Sequence, residues 1–196
     1  PRPETEELVR WILDDHKNIA KILTILDMGT GSGCIPISLD ENLTDAKVFG
    51  LDISTDALKV AEENNALLNS DVKFCEADIL SLDAETSTKE LDQKFDIIIS
   101  NPPYVRELEK AEMQNNVIDY EPGLALFVPD EDPLKFYRAV VNFAADHLNE
   151  NGYLYLEINQ YLGEETKQLL KESNFKTIEL RKDMFGNDRM IKGIKK

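Results

Sequence analysis

An apolar run, Ile22 to Met28, leads directly into Gly29-Thr30-Gly31-Ser32-Gly33, and Cys34-Ile35-Pro36-Ile37-Ser38-Leu39 follows as the start of a helix. Strand, glycine turn, helix opens a βαβ unit and commits the chain to an α/β fold. The spacing here is G-x-G-x-G. A dinucleotide fingerprint is G-x-G-x-x-G, and Cys34 stands where its third glycine belongs, which argues against NAD. With Asp27 before it, the tighter turn suits a smaller ligand lying across the first connection. A glycine triplet alone is weak evidence, because loops use glycine wherever φ must be positive.

The rest of the chain continues the alternation. A helix is predicted over 4–16, with Glu4, Glu6 and Glu7 in the first turn, where the helix dipole favours acids. Leu8, Trp11 and Ile12 form its apolar stripe, and Trp11 reads as core. Further strands are predicted at Lys47 to Leu51, Val72 to Cys75, Phe95 to Ile99, Gly152 to Ile158, Phe175 to Leu180 and Arg189 to Ile194. Helices are predicted after a Ser54 or Thr55 cap, over Pro133 to Leu148, and over Leu162 to Glu172. Phe185-Gly186-Asn187-Asp188 supplies the turn of a closing hairpin. Right-handed crossovers make the first six strands parallel, and the hairpin makes the seventh antiparallel. The expected architecture is a seven-stranded sheet with helices on both faces. Residues 81–94 read as a polar surface excursion. Residues 106–128 read as an irregular connection with a short helix at Glu107–Asn115, serving as a lid or substrate wall.

The second constraint is Ile97-Ile98-Ile99-Ser100-Asn101-Pro102-Pro103-Tyr104. The run from Phe95 to Ile99 reads as a strand buried on both faces. Pro102 pushes Asn101 towards extended geometry, and neither proline has an N–H with which to continue the ladder. The carbonyls of Asn101 and Pro102 are left at the carboxyl end of the strand, where open α/β sheets bind ligands. Asn101 adds a side-chain acceptor and Tyr104 a flat ring. Two acceptors beside a ring suit a planar –NH2 group, either an amide or an exocyclic base amine. Taken alone, the same residues would also serve as a turn after a core strand.

Asp52 ends the second predicted strand, where a carboxylate can accept from both hydroxyls of a ribose. Asp78 ends the third, within reach of an adenine amine. Either one alone would serve equally as a helix cap. Together with Asp27 they give carboxylates at three successive strand ends, which suits a cationic cofactor such as the sulfonium of S-adenosylmethionine. The net charge of −16 repels nucleic-acid backbones at long range. Cys34 and Cys75 stand in apolar contexts and read as buried thiols in a reducing compartment, not as a disulfide or metal pair. His16 and His147 are the only histidines, too few for a His-rich metal site, and no metal is expected. No apolar run approaches the ~18 residues of a membrane span. Residues 1–20 are acidic and amphipathic, unlike a signal peptide. The chain opens at Pro1 without a methionine, which suggests a fragment or a processed form.

Asp27 to Cys34 together with Ser100-Asn101-Pro102-Pro103-Tyr104-Val105 resembles the class I S-adenosylmethionine-dependent methyltransferases, which have a Rossmann-like fold. Pro1-Arg2-Pro3-Glu4-Thr5-Glu6, Tyr120-Glu121-Pro122 with Leu124-Ala125-Leu126-Phe127, and Lys182-Asp183 with Gly186-Asn187-Asp188-Arg189 narrow the likeness. The whole chain is similar to the HemK/PrmC family, glutamine methyltransferases that modify peptide chain release factors in translation termination. The resemblance implies that Gly29, Thr30, Gly31, Ser32, Gly33, Asp52, Asp78, Ile79 and Asn101 bind S-adenosyl-L-methionine and release S-adenosyl-L-homocysteine. Relatives can carry an aromatic residue at the adenine-flanking position, which is Ile79 here. Asn101, Pro102, Pro103 and Tyr104 would hold the glutamine of a Gly-Gly-Gln loop, with Asn101 and Pro102 catalytic. The implied partners are release factors in the cytoplasm, with no direct nucleic-acid or membrane binding. Family members carry a further helical domain before the Arg-Pro-Glu-Thr segment, so residues 1–196 correspond to a catalytic domain alone. Asn-Pro-Pro-Tyr is shared with methyltransferases acting on exocyclic amines of adenine or guanine in DNA or RNA, and that activity is the alternative.

Overall fold

The computed structural model describes residues 2–17, 19, 21–82, 90–106, 108 and 127–196. In chain order these form α1 (Pro3–His16), β1 (Thr24–Met28), α2 (Cys34–Asn42), β2 (Lys47–Asp52), α3 (Thr55–Leu68), β3 (Lys73–Glu76), a 3-10 turn (Ile79–Ser81) and β4 (Phe95–Ser100). There follow β5 (Val105–Arg106), β6 (Phe127–Val128), α4 (Lys135–His147), β7 (Leu148–Glu157), α5 (Gly163–Glu172), β8 (Phe175–Lys182) and β9 (Asp188–Lys195).

Seven strands make one sheet in the order β3-β2-β1-β4-β7-β9-β8. β9 runs antiparallel to both of its neighbours, and the other six strands run in one direction. This is the expected pattern, with one addition: the last strand is inserted between β7 and β8. All of β4 is buried, and its side chains divide between two cores. Ile97 and Ile99 join Ile25 and Val48 beneath α1 and α2, while Ile98 joins Leu26, Leu154 and Leu156 beneath α4 and α5. Each such side chain contributes roughly 1.5–3 kcal/mol through burial. Trp11 lies in the α1 core, with its ring 5.5 Å from that of Tyr155, edge to face. Ser54 caps α3 by accepting the N–H of Ala57.

Three features differ from expectation. β7 begins at Leu148 and not at Gly152, because Leu148 already pairs with Phe95 before an irregularity shifts the register. Val105–Arg106 and Phe127–Val128 pair in parallel as a small second sheet, within what reads as irregular sequence. Two residues per strand are too few to show an alternation. Cys34 and Cys75 form no disulfide, and both are half-buried where full burial was expected. Cys34 starts α2 at the turn, and Cys75 lies on the edge strand β3. The predicted helix at Glu107–Asn115 and the segment Tyr120 to Leu126 lie outside the described residues. Among the described residues no helix is long and apolar enough to cross a membrane.

Candidate active site

Parallel register sets the site. Met28 of β1 lies beside Leu51 of β2 on one side and Ser100 of β4 on the other. The glycine turn and the Asn-Pro-Pro-Tyr segment therefore leave neighbouring strands at the same level. The Ser100 hydroxyl donates to the Met28 carbonyl at 2.6 Å and ties the two ends together. Gly29 and Thr30 both donate to the Leu51 carbonyl, at 2.9 and 2.8 Å. The turn is left-handed at all three glycines, and at Gly31 (φ 57°) a side chain would meet no neighbour within 4 Å. Ser32 contributes its carbonyl to the Asn64 side chain at 2.9 Å, and its hydroxyl lies 3.2 Å from the Cys34 sulfur.

The carboxylates at the strand ends behave differently from one another. Asp52 is half-buried and accepts from Gly31 N–H at 2.8 Å and from Ser54 N–H at 2.9 Å, so it braces the turn from β2. Asp78 is the cap of the 3-10 turn, accepting from Leu80 N–H and the Ser81 hydroxyl, each at 2.9 Å. Ile79 follows it and lies against the turn, its Cδ1 3.5 Å from where a Cβ on Gly29 would stand. Asp27 is fully buried, and among the described residues neither its oxygens nor the Thr30 hydroxyl forms a hydrogen bond. Burial pushes the Asp27 pKa up to about 7, the Asp52 carboxylate adds to the rise, and the neighbouring Thr30 hydroxyl opposes it. An unsatisfied buried carboxylate is costly, and a cationic ligand would relieve it. That fits a positively charged cofactor across the turn.

Beyond β4, Pro102 is buried, and Asn101, Pro103 and Tyr104 are half-buried. Asn101 Nδ2 donates to the Thr5 hydroxyl at 3.3 Å. Thr5 donates to Glu157 Oε2 at 2.7 Å, and the Tyr104 phenol donates to Glu157 Oε1 at 2.9 Å. Burial holds the Glu157 carboxyl above its ordinary range, against the opposing pull of Thr5, Tyr104, Arg189 and Arg2. Burial, together with the Glu157 carboxylate, raises the Tyr104 phenol well above its usual value, so it stays protonated. Asn159 Nδ2 donates to the Tyr104 carbonyl at 2.9 Å, and the Arg189 guanidinium stands 5.7 Å from the ring centre. The site thus presents a glycine cradle with acidic walls beside a fixed amide and a fixed aromatic ring.

Thr5, Glu157, Asn159 and Arg189 escape a reading by strand-end motifs. Glu157 had a usable signal: it is a charged residue closing the apolar run Tyr153-Leu154-Tyr155-Leu156 at a strand's carboxyl end. Thr5 stood only inside a segment marked by the family resemblance, with no role attached, because α1's packing is what brings it to Asn101.

A methyltransferase domain model matches residues 19–182. The chain is 55% identical, over 98% of its length, to the release factor glutamine methyltransferase of Flavobacterium psychrophilum, of which it covers 66%. It is 41% identical over 97% of its length to the release factor glutamine methyltransferase of Lactococcus lactis, of which it covers 67%. The chain therefore spans about two thirds of the length of the curated relatives it matches. Among solved structures, a 16S rRNA methyltransferase of T. thermophilus in complex with AdoMet and guanosine superposes with a TM-score of 0.71, over all of this chain and 44% of that one. At 20% identity that likeness concerns the fold alone.

Proposed function

The chain belongs to the release factor glutamine methyltransferase family, and from that membership we propose that it transfers a methyl group from S-adenosyl-L-methionine to the side-chain amide nitrogen of a release-factor glutamine. The target is the glutamine of a Gly-Gly-Gln loop, and the setting is the cytoplasm. Residues 1–196 act as the catalytic domain. The observation that supports this reading is the register of β1 and β4, in which Asp27 and the glycine turn leave β1 at the level where β4 runs into Asn101 and Pro102.

Gly29 to Gly33 would hold the cofactor against the turn, Asp52 its ribose, and Asp78 with Ile79 its adenine. Asp27 would face its positive charge. When bound, S-adenosyl-L-methionine supplies an electrophilic methyl group for in-line displacement. The residues of this chain do the positioning. An amide nitrogen is a poor nucleophile, because its lone pair is delocalised. Asn101 Oδ1 and the Pro102 carbonyl each accept one N–H of the glutamine, which orients the nitrogen and favours the positive charge that grows on it. Tyr104 packs on the planar amide. A methylated, positively charged amide is acidic enough to lose its proton to water, so no histidine is required.

A methyl-transfer assay with tritiated cofactor, offering release factor, DNA and RNA side by side, tests the proposal. Label is expected in the release factor, at the glutamine of the Gly-Gly-Gln loop. Label in nucleic acid and none in release factor would move the site to exocyclic base amines, which the same four residues could hold. The net charge of −16 weighs against that outcome.

A further inference from the structure

An amide can accept from a substrate only if its oxygen faces that way, and its two ends are nearly alike in shape. For Asn101 the hydrogen bonds behind it decide which end faces forward. Glu157 is fully buried at the end of β7 and takes one hydroxyl on each oxygen, from Thr5 and from Tyr104. Both Glu157 oxygens act as acceptors, so the Thr5 proton is committed to Glu157. The Thr5 oxygen then has only lone pairs to offer its other neighbour. Asn101 must meet it with Nδ2, as it does at 3.3 Å. Its oxygen is turned to the opposite side.

We infer that Thr5 is a positioning residue for methyl transfer, locking the Asn101 amide with its oxygen towards the substrate, and that Glu157 sets the direction of the chain Asn101 to Thr5 to Glu157. The inference rests on the proposed reading for its substrate, but the lock itself is a property of the fold. One carboxylate thereby orders both walls of the amide cradle, Asn101 through Thr5 and Tyr104 directly. Thr5 reaches the site from the first turn of α1, across 96 positions of sequence. Its surroundings are dry: Thr5 is 5% exposed. Water therefore cannot easily replace it.

The test compares Thr5→Val, which keeps the shape and deletes the hydroxyl, with Thr5→Ser, which restores it. With release factor as substrate, Thr5→Val should lose about tenfold in kcat, the scale of one hydrogen bond. KM and cofactor affinity should hold, and Thr5→Ser should recover most of the rate. The independent readout is solvent exchange of the Asn101 side-chain NH2 protons in 15N-labelled protein, assigned by their absence in Asn101→Ala. They should exchange severalfold faster in Thr5→Val and at the native rate in Thr5→Ser. Thr5→Ala reads the same way if Thr5→Val does not fold. Unchanged exchange on loss of the hydroxyl overturns the inference, whatever the turnover. If the native protein methylates no release factor, the substrate reading fails, and the exchange comparison still decides the role of Thr5.

Discussion

Asp52 accepts the Gly31 N–H at 2.8 Å, across two strand ends. The carboxylate proposed to hold a ribose also holds the glycine turn in shape. Asp52→Ala should therefore weaken cofactor binding by roughly 1–3 kcal/mol, the scale of a lost charged hydrogen bond. Asp52→Asn, which keeps one acceptor, should fall between. Titration calorimetry showing native affinity for Asp52→Ala would remove it from both roles.

Two glycines of the turn separate folding from binding. At Gly33 (φ 80°) a Cβ would stand 3.1 Å from both Ala61 and Ile37 side chains, so Gly33→Ala should cost about 1–3 kcal/mol of stability. At Gly31 a Cβ meets nothing, and the residue is strained only by its φ of 57°. Gly31→Ala should lose about 1 kcal/mol of stability and proportionally more cofactor affinity. Thermal melts beside binding isotherms report both, and equal losses of stability in the two variants would contradict the contrast.

Asp27 makes stability depend on pH. Its pKa is raised from 3.8 to about 7 in the folded protein, so folding favours the protonated form. That contribution is whole below about pH 4, erodes as the pH rises towards 7, and is gone above it. The loss is on the order of 4 kcal/mol in the absence of ligand. Asp27→Asn stays neutral, so its melting temperature should exceed the native one at pH 8 and approach it at pH 4. Its affinity for the cationic cofactor should fall at pH 8. Melting curves that run parallel from pH 4 to 8 would show that Asp27 is not the group responsible.

Asn101 should carry the chemical step and little of the cofactor affinity. Asn101→Ala deletes a preorganised acceptor, a loss of about 2.7–4 kcal/mol or roughly 10²–10³ in turnover. Asn101→Asp should fare no better. Its carboxylate cannot donate to Thr5, and it would set a charged oxygen against a hydroxyl whose proton already belongs to Glu157. Single-turnover rates at saturating cofactor measure both variants. Substantial activity in Asn101→Asp would mean that acceptance is the whole role of this side chain.

Much of the frame was legible from local pattern. The β-branched run at Ile97 to Ile99 announced a strand buried on both faces, and the glycine turn announced the first crossover. Asp52 ends β2 and Asn101 follows β4, at the levels that strand-end reasoning expects, while Ile79, named through the family resemblance, lies against the glycine turn. Asp78 takes the cap role that the sequence also allowed, accepting on both oxygens from Leu80 and Ser81. Thr5 and Arg189 were illegible for a different reason. Each enters the site through long-range packing, of α1 onto β7 and of β9 beside β7; the family resemblance marked their segments, Pro1 to Glu6 and Gly186 to Arg189, without giving either residue a role. The placement of β9 inside the sheet was equally hidden, because a hairpin signal fixes antiparallel pairing but not which side of β8 the pair faces.

That interior strand has a consequence for the order in which the protein can be built. β1, β2 and β4, with the glycine turn and Asn101, pair with one another within residues 24–101. The aromatic wall is different. Arg189 reaches Tyr104 only when β9 has slotted between β7 and β8, so it waits for residues 188–195 to leave the ribosome. A nascent chain is therefore expected to form its cofactor cradle first and its substrate wall last, which pulse-labelled hydrogen exchange would read as early protection of β1 and late protection of β9. On the proposed reading, a protein assembled in that sequence could hold its methyl donor before it can present a closed surface to a glutamine.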